Sequence, residues 1–184
     1  MQQDNSPFKI LLYVVAAMWV IQVVQFFTGY ALASFAIYPR QPSGLIGILA
    51  APFLHWGFFH VISNTIPLLI LGWLVSTQVP LIKTSILIAI ITGGLVWLLG
   101  RSAAHAGASG LVMGYFGFLL SYGFFARSFK SILISAIVVV FYGGMLFSLL
   151  DFRPHVSFES HIFGFVAGLL SAWMINQQTR KTNT

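Results

Sequence analysis

Apolar residues run through this chain in stretches of near membrane length, and polar residues collect in the short gaps between them. At about 1.5 Å per residue, a helix needs roughly 20 residues to cross hydrocarbon roughly 30 Å thick. Six segments qualify: Ile10–Gly29, Phe58–Thr77, Leu81–Leu99, Ala108–Ala126, Ile132–Leu150 and Ser157–Asn176. A tight turn is predicted at Val79-Pro80, between the second and third. The connection from Tyr30 to Trp56 is apolar yet broken by Pro39, Pro42, Gly44, Gly47 and Pro52. That mixture predicts a partly helical loop lying in the outer membrane interface. No composition shift or repeat divides the chain. The pattern therefore predicts one all-α integral membrane domain over residues 1–184, a bundle of six transmembrane helices with a long interfacial first outer loop.

Composition strengthens this reading. The 184 residues are 58% hydrophobic and 7% charged, where a soluble domain carries about a quarter charged residues. Mean hydropathy is +0.92. The formal charge of +6 does not point to nucleic acid, because the basic residues sit singly between apolar runs. They report topology instead. With the N-terminus inside, Lys9, Lys83, Arg127, Lys130, Arg180 and Lys181 are cytoplasmic, and Arg40, Arg101 and Arg153 are outside. This bias predicts an N-in, C-in arrangement. It also favours a multi-pass protein of a bacterial inner (plasma) membrane, with no organelle-targeting leader. The run ending in "ALASFA" resembles a signal-peptidase site, but it is longer than a typical signal core and Asp4 dilutes the charged region before it. The absence of cysteine excludes disulfides, thiolate metal sites and a cysteine nucleophile.

The predicted topology sets the N-terminal ends of segments two, four and six at one outer face. Those ends carry His60 and Asn64, then Ser109, then His161. A serine between glycines can be a small packing residue that lets helices approach. Here Gly107 lets the backbone turn before it, and Ser109 sits at a helix start, where free N–H groups favour negative charge. Gly110 and Gly114 on segment four, with Gly164 and Gly168 on segment six, form stripes that allow close helix approach. If the stripes face each other, His161 comes to the height of Ser109 and can serve as its base. His60 and Asn64, four apart on one helix face, can both donate hydrogen bonds, as an oxyanion requires. Glu159, two residues before His161, should point away, which leaves a dyad without an acid. His55 falls before its helix and reads as structural. A zinc site from His55, His60 and His161 is disfavoured, because the first two lie about 140° apart on a helix and no carboxylate or thiolate joins them. No cofactor or metal is expected.

These motifs resemble those of the rhomboid intramembrane serine proteases. The similarity rests on H-x4-H-x3-N (His55, His60, Asn64), G-x-S-G (Gly107, Ser109, Gly110) and H-x2-G-x3-G (His161, Gly164, Gly168), in that order and on those segments. It spans essentially the whole chain, as the basic six-helix form. The resemblance implies a Ser109–His161 dyad, an oxyanion hole from the Ser109 N–H with His60 and Asn64, and cleavage of single-span transmembrane substrates near the outer face of the lipid bilayer. It also implies a cap over the site from Asp151 to Ser160, with segment five as a lateral gate. Two positions depart from the usual pattern: Met113 stands where many relatives carry an aromatic, and the first outer loop has no Trp-Arg pair. A catalytically silent adaptor that binds transmembrane clients is the alternative. A transporter is disfavoured, since the polar residues gather near one face and no inverted repeat is visible.

Overall fold

The computed structural model describes residues 6–153 and 156–182. Its elements are α1 (Pro7–Phe27), a short α2 (Gly47–Ala50), α3 (Phe58–Ser76), α4 (Leu81–Leu99), α5 (Ser109–Ala126), α6 (Phe129–Tyr142) and α7 (Phe158–Thr182). Six helical segments are long and apolar enough to cross a membrane, the fifth counted as Phe129–Leu150. They follow the six predicted from the sequence to within a few residues. Two differ: the sixth helix runs on to Thr182, and in the fifth segment the α-helix ends at Tyr142 and a tighter 3-10 stretch, Gly143–Leu150, completes it. Two glycines at the junction, each facing open space, explain the weak point.

Local signals account for the helix ends. Pro7 opens α1, and the Ser6 hydroxyl accepts from the Lys9 N–H at 3.4 Å. Ser128 caps α6 in the same way, accepting from Ser131 N–H at 3.1 Å. Ahead of α3 and α5 stand Gly57 and Gly107, with φ of +134° and +123°, values that side chains other than glycine rarely adopt.

The bundle is organised around α5, buried over most of its length, with α7, α6, α4 and α3 packed on it. The segment 129–150 is buried least. The α5–α7 contact is backbone to backbone. A Cβ on Gly164 would strike the Gly110 carbonyl, and one on Gly168 would strike that of Gly114. The two glycine stripes therefore do face each other, so the axes approach as closely as helices can.

The connection from residue 28 to 57 is partly helical, made of short turns 31–35, 42–46, 47–50 and 51–53. Arg40 anchors it, donating to the Leu98 and Gly100 carbonyls at 3.2 and 2.8 Å at the end of α4. Trp97 returns a bond from its indole to the Gln41 carbonyl at 2.8 Å. An arginine and a tryptophan thus fix this loop, but the tryptophan comes from α4, where no local motif in the loop could reveal it. Ile37 and His105 add an antiparallel bridge between this loop and the α4–α5 connection.

Candidate active site

His60, Asn64, Ser109 and His161 line one cavity of about 780 Å³ at the N-terminal ends of α3, α5 and α7. Pro67 of α3, and Tyr142 and Met145 of the fifth segment, extend its wall toward the membrane side. Arg101, Asp151 and Arg153 lie at its loop end. Polar side chains placed in a largely apolar cavity of an apolar bundle are costly, since membrane-embedded polar groups must be satisfied or used.

Ser109 is the first residue of α5, and the turn before it is held by three backbone donors. Gly107 N–H bonds to the Ala51 carbonyl at 2.9 Å, and Ala108 N–H to His55 Nε2 at 3.3 Å. His105 N–H bonds to the Ile37 carbonyl at 2.9 Å. His55 lies ahead of α3, as expected, and its ring organises the turn that leads into Ser109. Because Nε2 accepts, the ring is neutral; burial first, then the charge of neighbouring His60, lowers its pKa to about 4.

His60 packs against Gly107: a Cβ there would sit 2.8 Å from Nε2 and 3.8 Å from Ser109 Oγ. His60 Nε2 and Ser109 Oγ thus lie on one side of the same glycine, a second reason that position has no side chain. His60 Nδ1 accepts from the Trp56 N–H at 3.4 Å, so the proton sits on Nε2. Asn64 is buried and donates from Nδ2 to the His60 carbonyl at 3.0 Å. The second hydrogen of that amide is free for another acceptor.

His161 Nδ1 stands 3.0 Å from the Ser148 carbonyl. A carbonyl can only accept, so Nδ1 carries the proton and Nε2 keeps its lone pair. A backbone carbonyl thereby occupies the place that an acid holds in a triad. The Ser148 hydroxyl donates to the Met145 carbonyl at 2.7 Å and lies 3.7 Å from Met113 Sδ. Ser109 Oγ has no hydrogen bond among the described residues, so Ser109 and His161 share the cavity without being joined. In unliganded sites such bonds are commonly long and tighten with substrate.

Glu159 does not line the cavity. It turns to Arg101, accepting from its N–H at 3.3 Å and lying 3.5 Å from the guanidinium. Asp151 and Arg153 form a two-bond pair at the mouth, at 2.7 and 2.5 Å, which lowers the Asp151 pKa to about 2. Of the expected cap, Pro154 and His155 lie outside the described residues. Arg101 and His105, part of the cavity wall, carried no sequence signal: they sit in "RSAAHAG", too short for periodicity.

Fold and cavity together define a polytopic helical membrane protein with a polar site buried between its helix ends. Residues 42–178 match the profile of the Rhomboid domain. The chain is 34% identical over 182 residues to uncharacterized proteins of Mycobacterium tuberculosis and Mycobacterium bovis, covering 93% of this chain and 76% of each relative. An uncharacterized protein of Mycobacterium leprae is 31% identical, covering 94% of this chain and 72% of that one. The chain belongs to the rhomboid family, whose members are in general intramembrane serine proteases acting on transmembrane substrates.

Proposed function

We propose that this protein is an intramembrane serine endopeptidase that cleaves single-span transmembrane substrates through Ser109 and His161. The observation that carries the reading is the Ser148 carbonyl beside His161 Nδ1, which leaves a lone pair on Nε2 of a ring that lines the same cavity as Ser109. In the reaction, Ser109 Oγ attacks the scissile carbonyl as its proton passes to His161 Nε2. The oxyanion is met by the Ser109 N–H at the start of α5, by His60 Nε2–H and by the free Asn64 amide hydrogen. His161 then gives its proton to the leaving amine, and water repeats the sequence on the acyl-enzyme.

Gly107, Gly110, Gly114, Gly164 and Gly168 act as approach residues, the first for His60 and the others for the two helices that carry the dyad. The chain works as one membrane domain, N-in and C-in, in a bacterial inner membrane with its site toward the outer side. The substrate helix enters beside the fifth segment, which lines the cavity and is the least buried of the six. A fluorophosphonate probe, which reacts with activated serines, tests the reading. Wild type in detergent should label, and both Ser109→Ala and His161→Ala should lose more than about 95% of that signal. Melting of Ser109→Ala should be unchanged, since one hydroxyl is removed.

The unengaged Ser109 hydroxyl also fits the second reading, a silent adaptor that binds transmembrane clients. Absence of labelling in folded wild type, with client binding kept when both residues are replaced, would select that reading.

A further inference from the structure

The glycine contact between α5 and α7 sets how near the two helices lie. A second set of contacts joins the two helices at the end where Ser109 and His161 stand. At the loop end of the cavity, the connection running from Arg101 into Ser109 is tied by side chains to the residues that start α7. Arg101 donates from its guanidinium to the Val156 carbonyl at 2.5 Å and from its backbone to Glu159 at 3.3 Å. Its guanidinium also lies over the Phe158 ring, 5.1 Å from the centroid.

His105, 1% exposed, completes the tie. Nε2 lies 3.0 Å from the Arg101 carbonyl and must donate, so Nδ1 accepts from the Ser157 hydroxyl at 2.7 Å. Ser157 in turn receives the Ser160 hydroxyl at 2.7 Å, one residue before the base. Every proton in this chain has one direction. Glu159 is 6% exposed, and its second oxygen has no partner among the described residues. A buried carboxylate so incompletely paired is a poor source of stability, which argues that it is kept for what it fixes.

We propose that Glu159 and His105 are positioning residues, which lock the Ser109 turn to the first turn of α7 and so set the distance between the hydroxyl of Ser109 and the imidazole of His161. The proposal rests on the endopeptidase reading. It predicts that breaking the lock slows the chemical step far more than it weakens occupancy of the cavity, most of whose apolar wall lies on α3 and the fifth segment.

The test is fluorophosphonate labelling of the full chain in detergent, resolved into the maximal labelling rate and the half-saturating probe concentration. His105→Phe keeps the ring volume and removes both bonds; Glu159→Gln keeps the shape and the acceptor for the Arg101 N–H but removes the charge. For His105→Phe the maximal rate should fall about tenfold or more, since an ångström of misplacement at reacting atoms is that costly. Half-saturation should move less than about twofold, as it would for loss of a group acting only on the reaction step. Glu159→Gln should fall between that variant and wild type. Should His105→Phe fail to fold, Glu159→Gln and His105→Gln, which can still donate and accept, carry the comparison, with His105→Gln the faster.

Unchanged maximal rates in folded variants overturn the proposal, and so does a rise in half-saturation with the rate intact. If folded wild type does not label at all, the endopeptidase reading fails first and this proposal with it; labelling wild type with indifferent variants defeats this proposal alone.

Discussion

His55 shows how one side chain can matter without touching a substrate. Its Nε2 accepts from Ala108, the residue before the serine, and only an uncharged ring can do so. The folded pKa, about 4, lies below the ordinary value of 6.5, so folding favours the neutral form. The stability this contributes is complete above pH 6.5 and is lost as pH falls through the window to about 4. Its size is on the order of 3 kcal/mol when fully lost. Thermal melts in detergent between pH 7 and pH 4 should show wild type falling more steeply than His55→Gln, whose amide oxygen can accept without titrating. The neighbouring His60 ring, 4.9 Å away, is common to both proteins. Equal slopes would mean that the ring is not held neutral by this contact.

At the scale of elements, the glycines of α5 and α7 are selected by space rather than by backbone conformation. Gly168→Ala would drive a methyl group into the Gly114 carbonyl and within 2.6 Å of the Phe118 nitrogen. The helices must separate, at a cost of roughly 1–3 kcal/mol, and His161 moves away from Ser109 with them. Gly94→Ala in α4 meets open space and should be neutral or stabilising by up to about 1 kcal/mol. Melting temperature and probe labelling on the two variants check both statements together. These stripes could be read in the sequence because small-residue spacing on a helix has a period. The six spans could be read because hydrophobic length is a one-dimensional property. The switch at Gly143 could not, since an apolar run reports that a segment crosses the membrane and not whether it does so as an α-helix. Nor could the ties made by Arg40, Arg101 and His105, whose partners lie 50 to 60 residues away and are supplied by the fold.

For the molecule as a whole, the polar chemistry and most of the basic residues occupy opposite ends. The site end carries the loop 100–108 and the Asp151–Arg153 pair. At the other end, Lys130 donates to the Thr77 carbonyl at 2.6 Å and Arg180 to that of Phe125 at 3.4 Å, so cations meet the C-terminal ends of α3 and α5. That placement favours both helix dipoles, and the positive-inside rule predicts that this end stays in the cytoplasm. The consequence is testable because the chain contains no cysteine. Ser102→Cys places a thiol on the exposed site-end loop, and Gln177→Cys places one near the exposed end of α7. In intact bacterial cells a membrane-impermeant maleimide should label the first, and should label the second only after permeabilisation. The reverse pattern would turn the site toward the cytoplasm, and substrates would then be cut at the inner rather than the outer end of their membrane helix. Labelling of both thiols in intact cells would mean that the basic end does not hold one side of the membrane, and the charge argument would fail for this chain.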